Sequence, residues 1–213
     1  MRVYDHFPNP DCKGYTILNI HGYHGSPKNS AYTAQHEIGC ENIISPSIDY
    51  DSEESSNIIG TLNMLRVQYK ADMIVGTSLG GFYAAVLSAR HDLPAMLVNP
   101  CLTPFLLDIL SKFKTRPLVK LFGELATIDS ANVSCIVGDD DEVLGNHTFT
   151  EKLLGNSRFR RIDGGKHSGA TLPLKELPLP SLVSKMASDN AFDLVNAGRS
   201  RPVSYTHLTL PTT

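Results

Sequence analysis

Short apolar runs alternate along the chain with longer segments in which apolar residues recur every three or four positions. The runs predict buried strands, and the periodic segments predict helices that cover them. This order is typical of a mostly parallel sheet with helices on both faces, so the pattern predicts an α/β fold. Strands are predicted over 15–20, 42–48, 72–75, 94–100, 133–138 and 158–162, and helices over 51–69, 79–91 and 147–154.

Residues 101–131 interrupt this alternation. Phe105, Leu106, Ile109 and Leu110 predict a short apolar helix, and a basic stretch and a second apolar turn follow it. Two interpretations stay open for this segment. It forms either a small cap over a site at the edge of the sheet or an ordinary crossover helix with its loop.

Residues 203–213 differ from the rest of the chain, because they are rich in threonine and lack an apolar period. They resemble one reading frame of a common sequencing adapter, so we expect a non-native tail and exclude it from reasoning about the fold. The alternative is a genuine polar tail. We expect residues 1–202 to form a single α/β domain, which is long enough to bury a sizeable core.

The amino-acid composition limits the kinds of molecule that the protein is expected to bind. The chain has 213 residues, 41% of them hydrophobic, and its 19 basic and 22 acidic side chains give a formal charge of −3. This balance offers no basic excess to attract nucleic acid or a membrane surface. The sequence also lacks an apolar run of the roughly 20 residues that span a bilayer, and its start lacks the apolar core of a signal peptide. We therefore expect a cytoplasmic protein with no nucleic-acid or membrane partner.

The cysteines Cys12, Cys40, Cys101 and Cys135 are scattered along the sequence. Their spacing matches neither a disulfide framework nor a zinc motif. Cys101 and Cys135 lie in apolar runs, as small core residues do in a reducing compartment. We expect the protein to hold no metal and no cofactor.

The clearest candidate for chemistry is the segment Gly76-Thr77-Ser78-Leu79-Gly80-Gly81. It joins a predicted strand to a predicted helix, which is the context that a Gly-x-Ser-x-Gly nucleophile turn requires. Ser78 would lie at the apex, where its neighbours must lack bulk, and glycine has no Cβ. The helix directs its free N–H groups and the positive end of its dipole towards the serine. The alternative is a glycine-rich turn that only saves space.

A second loop, His21-Gly22-Tyr23-His24, follows the predicted strand over 15–20. A His-Gly pair at this place indicates the other half of an oxyanion hole. The backbone N–H of Tyr23 would then act together with that of Leu79, and His21 and Gly22 would contact the substrate. Two other interpretations of the histidines stay open: hydrogen bonding within their own loop, or a zinc site that includes His36, although this spacing fits no established zinc pattern.

Nucleophilic catalysis by serine needs a base that takes the hydroxyl proton and an acid that orients the base. In the hydrolase fold the acid follows the serine in the chain, and the histidine follows the acid. Here the acidic run Asp139-Asp140-Asp141-Glu142 follows one predicted strand, and His167 follows the last one. Because the carboxyl ends of parallel strands share one edge of the sheet, this order predicts that Ser78, one of these acids and His167 meet.

Further motifs accompany these candidates. The set comprises His21-Gly22, Ser26-Pro27, the 76–81 segment, Val98-Asn99-Pro100, Asp141-Glu142-Val143-Leu144 and Gly164-Gly165-Lys166-His167. Over residues 15–170 the chain thereby resembles the small bacterial YqiA-like esterases of the α/β-hydrolase superfamily. The resemblance implies an α/β-hydrolase fold with Ser78 as nucleophile, Asp141 as orienting acid and His167 as base. The chain departs from the family pattern in a shorter stretch between Pro100 and Val133, in the pair Tyr23-His24 and in its non-native tail. The shorter stretch bears on the substrate pocket, so the resemblance implies no particular specificity.

The function expected from these features is a serine hydrolase. Ser78 would attack a small carboxylic ester, an acyl-enzyme would form, and water activated by His167 would release the acid. The expected partner is the small-molecule ester, and the sequence predicts no oligomeric state. A thioesterase or small-amide hydrolase with the same residues is an alternative. Another is an α/β fold that binds a small molecule or protein without catalysis.

Overall fold

The computed structural model describes residues 2–5, 15–39, 42–107, 115–155 and 158–177. Its strands are β1 (Arg2–Asp5), β2 (Thr16–Ile20), β3 (Asn42–Ser47), β4 (Met73–Thr77), β5 (Ala95–Val98), β6 (Val133–Gly138) and β7 (Phe159–Ile162). They form one sheet in the order β1-β3-β2-β4-β5-β6-β7. Strands β2 to β7 are parallel, and β1 pairs antiparallel with β3 at one edge, which confirms the predicted mostly parallel sheet. The tail predicted at 203–213 lies outside the described residues, as do Cys12 and Cys40.

Helices cover both faces of the sheet. They are α1 (Ser30–Glu37), α2 (Ser55–Gln68), α3 (Leu79–His91), α4 (Thr115–Glu124) and α5 (Thr148–Leu154). Side chains alternate along each strand, so neighbours on β2 enter different cores. Leu18 packs in the core that holds residues of α2, α3 and α4, and Ile17 packs in the core that holds residues of α1 and the segment 172–177. No helix among the described residues is long and apolar enough to cross a membrane.

The segment 101–131 divides into two parts. A short 3-10 helix (Pro104–Leu106) is followed, after residues 108–114 that lie outside the description, by α4. Leu118, Leu121 and Leu125 are buried in the core against α3, so residues 115–127 form a crossover helix and its end. A cap built by the residues before α4 stays a prediction.

Cys101 and Cys135 are buried free thiols, as their apolar surroundings predicted. Burial raises the pKa of Cys101 to about 12 and the pKa of Cys135 further still. Neither thiol is therefore a ready nucleophile at neutral pH. The candidate chemistry lies elsewhere, in the loops at the carboxyl ends of β2, β4, β5, β6 and β7.

Candidate active site

Ser78 is the single residue between β4 and α3, and its backbone is strained. Its φ of 53° and ψ of −122° lie in a region that non-glycine residues rarely adopt. The strain is held by backbone hydrogen bonds, since the Ser78 N–H donates to Val98 O at 3.0 Å and Ser78 O accepts from Gly81 and Cys101 at 2.9 and 3.0 Å. The sharp turn presents the Ser78 hydroxyl at the carboxyl edge of the sheet, as the motif predicted.

Two glycines let the neighbouring loop approach this turn. A Cβ on Gly80 would lie 2.3 Å from Ile20 O and 2.4 Å from His21 O, which no side chain can do. A Cβ on Gly22 would lie 2.8 Å from Ser78 Cβ. The loop after β2 therefore contacts the serine directly, and both positions require glycine for space.

A chain of hydrogen bonds connects Ser78, His167 and Asp141. Ser78 Oγ lies 2.9 Å from His167 Nε2, and His167 Nδ1 lies 2.8 and 3.0 Å from the two carboxylate oxygens of Asp141. An ionised carboxylate only accepts hydrogen bonds, so Nδ1 carries the proton and Nε2 is free to accept one from the serine. The structure thus brings the three predicted residues together in the arrangement that a base and its orienting acid need.

The Asp141 carboxylate is surrounded by donors. Oδ1 accepts from the backbone N–H of Val143 at 2.9 Å and of Leu144 at 2.8 Å. Oδ2 accepts from His147 Nε2 at 3.0 Å. Burial by itself would raise the pKa of Asp141, but the hydrogen bonds from His147, His167 and Leu144 outweigh it and hold that pKa well below its usual range. The carboxylate is therefore charged throughout the physiological range.

The neighbouring aspartates have different partners. Asp139 accepts from the Gly164 N–H at 2.8 Å, and Asp140 lies 3.1 Å from Lys166 Nζ. Both are exposed, whereas Asp141 is buried and points at His167. Among these three aspartates, the geometry thus favours Asp141 as the acid that orients His167.

Asn99 fastens the histidine loop to the strand that precedes the acid. Its side chain is fully buried, donates to the carbonyls of Lys166 and His167 at 2.9 Å each, and accepts from the Gly138 N–H at 2.8 Å. Glu142 accepts from the His167 N–H at 3.1 Å. In the sequence, Asn99 is visible only as part of a motif, as an asparagine that follows a predicted buried strand and precedes proline.

His21 lies behind its loop. Its Nε2 accepts from the Ile48 N–H at 3.0 Å, so its proton is on Nδ1, which donates to Gly22 O at 2.7 Å. Tyr50 Oη donates to His21 O at 2.6 Å. Burial lowers the pKa of His21, which keeps the ring neutral. The prediction that the His21 side chain contacts the substrate is corrected here: with both nitrogens used in this way, the ring supports the loop.

The mouth of the site is aromatic and exposed. Tyr23 Oη donates to Asp51 Oδ1 at 2.7 Å, and His24 Nε2 lies 3.1 Å from Asp51 Oδ2. The rings of Tyr23 and His24 stack with their centroids 3.9 Å apart. His24 therefore hydrogen-bonds locally, which is closest to the first interpretation given above, in which the histidines bond near their own loop. Among the described residues, no group of three or more His, Cys, Asp or Glu side chains is arranged to hold a metal ion.

A cavity of about 230 Å³ opens above Ser78 and His167. Its wall includes Tyr23 and Leu79, whose N–H groups are the predicted oxyanion donors, and the side chains of Leu107 and Val143. A larger groove of about 490 Å³ lies against α1 and residues 169–176, and its lining includes neither Ser78 nor His167. We assign the site to the smaller cavity, because it alone of the two holds the serine and the histidine.

Residues 16–117 match a family profile described as an uncharacterised protein family, UPF0227. Solved structures resemble the whole fold. Est1E from Butyrivibrio proteoclasticus, determined with bound ferulic acid, is 15% identical with a TM-score of 0.58, and the match covers 92% of this chain and 95% of that one.

Two further structures agree with this match. An α/β hydrolase enzyme from the metagenome of lagoon sediments at Mar Chica, Morocco, is 12% identical with a TM-score of 0.54, covering 91% of this chain and 95% of that one. An α/β superfamily hydrolase from Oenococcus oeni is 15% identical with a TM-score of 0.51, covering 92% and 94%. Identities this low are informative about the fold. The chain therefore has the α/β-hydrolase fold, as its resemblance to that superfamily implied.

Proposed function

We propose that this protein is a serine hydrolase that cleaves small carboxylic esters through an acyl-enzyme on Ser78. One observation carries the proposal: hydrogen bonds run without a gap from Ser78 Oγ to His167 Nε2, at 2.9 Å, and from His167 Nδ1 to Asp141, at 2.8 Å. A strained serine joined to a base that is itself joined to a buried carboxylate is the arrangement that activates a hydroxyl for attack.

Acylation begins when Ser78 Oγ attacks the ester carbonyl carbon and its proton passes to His167 Nε2. The carbonyl oxygen becomes an oxyanion, and the proposed donors to it are the backbone N–H groups of Tyr23 and Leu79, residues that line the cavity. The intermediate then breaks the bond to the alcohol, and His167 gives its proton to the departing oxygen. Asp141 stays ionised and stabilises the imidazolium through Nδ1–H.

Deacylation repeats these steps with water. His167 Nε2 takes a proton from a water molecule whose oxygen attacks the acyl carbon. The bond to Ser78 Oγ breaks, the serine recovers its proton from His167, and the carboxylic acid leaves. No other group is needed to balance the reaction.

The cavity favours a short acyl group. Its volume of about 230 Å³ is below the range of about 300–1,000 Å³ that holds drug-sized ligands. Leu107, Val143 and Cys101 give it an apolar wall. Acetyl and butyryl esters therefore match it better than long-chain esters.

The test uses purified protein, p-nitrophenyl acetate and a fluorophosphonate probe. We expect the probe to label the wild type on Ser78, and Ser78→Ala to lose labelling and at least about 10³-fold of kcat while its circular dichroism stays unchanged. The hydroxyl is small, so its loss costs little packing. Thioester and amide analogues identify the preferred bond. An unlabelled wild type, or a folded Ser78→Ala variant that retains turnover, would contradict the proposal and leave a binding protein as the better account.

A further inference from the structure

A second histidine contacts the Asp141 carboxylate. His147 Nε2 lies 3.0 Å from Asp141 Oδ2, and the side chains of both residues are 1% exposed. The carboxylate therefore lies between two imidazoles, with His167 on one side and His147 on the other. The Ser78–His167–Asp141 chain does not by itself require this second ring.

The direction of this hydrogen bond is fixed by the charge of its acceptor. Asp141 is ionised and can only accept, so His147 Nε2 must carry the proton and donate. A charge-assisted hydrogen bond of this kind is stronger than a neutral one, and burial keeps water from competing with it. His147 is also the N-cap residue of α5, where its carbonyl accepts from the Glu151 N–H at 2.9 Å. The backbone from which the ring projects is therefore tied to the helix.

We propose that His147 is a positioning residue that holds the Asp141 carboxylate in the orientation that His167 needs; this rests on the serine hydrolase function proposed above. His147 and the N–H groups of Val143 and Leu144 fix the two oxygens from one side. Both oxygens then face His167 Nδ1. Without the His147 donor, Oδ2 keeps only His167 Nδ1 among its described partners, and the carboxylate is held less firmly against rotation about its Cβ–Cγ bond.

The position of His147 predicts which kinetic constant changes. His147 does not line the cavity that holds Ser78; it lines an adjoining cavity of about 400 Å³ with Leu144 and Phe149. A short ester in the first cavity does not reach it. Its loss should therefore lower kcat through the orientation of His167 and leave KM for p-nitrophenyl acetate unchanged within about twofold.

The experiment compares two substitutions at this position. His147→Leu removes the donor, and we expect kcat to fall at least about tenfold, the order that a hydrogen bond to a charged group contributes. His147→Gln places an amide N–H where Nε2 was, and we expect kcat within about threefold of wild type. Phe149→Leu, in the same cavity but at a side chain that has no donor to offer Asp141, is the matched control with unchanged kcat. If His147→Leu does not fold, His147→Asn, whose amide is too short to reach Asp141, takes its place.

A second measurement does not depend on turnover. Long-range ¹H–¹⁵N NMR reports which nitrogen of His167 carries the proton. We expect the Nδ1–H form in wild type and His147→Gln, and an increased share of Nε2–H in the donor-less variant. A donor-less variant with unchanged kcat and tautomer, or a folded His147→Gln variant more than tenfold slower than wild type, would overturn the proposal. An inactive wild type would instead count against the hydrolase function, and the tautomer comparison would still test the role of His147.

Discussion

The back and the mouth of the site are built differently, although at each an aspartate contacts two side chains that carry rings. At the back, the side chains of Asp141 and His147 are 1% exposed. At the mouth, the side chains of His24 and Asp51 are 67% and 43% exposed. The aspartate–histidine pair at the back is therefore shielded from solvent, whereas the aspartate–histidine pair at the mouth is screened by it.

The difference follows from the surroundings of the hydrogen bonds. In the interior a hydrogen bond is stronger, and a group that loses its partner has no water to replace it. At the surface, water competes and the ion pair contributes little. We therefore expect the back to fix the geometry of the proposed reaction and the mouth to tolerate substitution.

The largest expected effect comes from the acid at the back. Asp141→Asn keeps the shape but favours the wrong imidazole tautomer, a change that costs about 10⁴ in turnover in a serine protease. We expect kcat for p-nitrophenyl acetate to fall at least about 10²-fold. Asp139→Asn and Asp140→Asn should each change kcat less than about fivefold, because these exposed carboxylates do not face His167. A larger loss in one of these two variants than in Asp141→Asn would show that the acid is misassigned.

A smaller effect is expected from the link between the acid and histidine loops. Asn99→Gly keeps the left-handed backbone, with φ of 41°, but removes the partner of the Lys166 and His167 carbonyls and of the buried Gly138 N–H. We expect a loss of about 2 kcal/mol or more in the free energy of unfolding, measured in urea, and a decrease in kcat of about tenfold.

Lys70→Gly is the matched control for this substitution. Lys70 is exposed and has φ of 51°, so glycine relieves the same backbone conformation without removing a buried side chain. The free energy of unfolding of the Lys70→Gly variant should not fall below that of wild type. Equal stabilities of Asn99→Gly and wild type would mean that Asn99 does not hold the two loops together.

His21, which supports the loop after β2, should make the free energy of unfolding depend on pH. Burial lowers the pKa of His21 below the value of about 6.5 that histidine has in the unfolded chain. Between the two pKa values the unfolded chain binds more protons, so stability rises with pH there and is lost as the pH falls below about 6.5. We expect the unfolding free energy of His21→Gln to depend less on pH between 5 and 7 than that of wild type, by up to about 1.4 kcal/mol per pH unit. His24→Gln, at the exposed mouth, is the control; equal slopes in wild type and His21→Gln would contradict the assignment.

The smallest effect should appear at the mouth. Asp51→Asn makes the same chemical change as Asp141→Asn, but its described contacts with Tyr23 and His24 lie at the exposed mouth. We expect kcat to stay within about twofold and KM within about threefold of wild type. Steady-state kinetics with p-nitrophenyl acetate compares the two variants directly. A loss of kcat as large as that of Asp141→Asn would remove the distinction between back and mouth.

Local pattern was enough to predict most of the sheet and its central helix. The structure has α3 at 79–91 and β6 at 133–138, as predicted, because strong periodicity and burial coincide there. The sequence did not indicate α1, whose buried face consists of Ala31, Ala34 and the polar Gln35. It also did not indicate β1, a strand of four residues that is recognisable only by its pairing with β3.

The site was predictable where chain order limits it and unpredictable where contacts are distant. Ser78 and His167 follow from motif and order. The bonds of Asn99 join it to residues 67 and 68 positions away, and no local pattern records such a contact. His147 is 6 positions from Asp141, but sequence periodicity showed it only as a helix start. His21 was placed against the substrate because the motif shows a residue's neighbourhood and not the direction of its ring.

The hydrogen bond between Ser78 and His167 has a consequence for the chain during its synthesis. The two residues are 89 positions apart, on the loops after β4 and β7. At translation rates of about 5–20 residues per second, the histidine is made roughly 4–18 s after the serine. The nucleophile turn and its neighbouring strands can fold on the ribosome during that interval, but the serine has no base. On the proposed mechanism, we therefore expect a nascent chain to lack hydrolase activity until His167 has been made and lies beside Ser78.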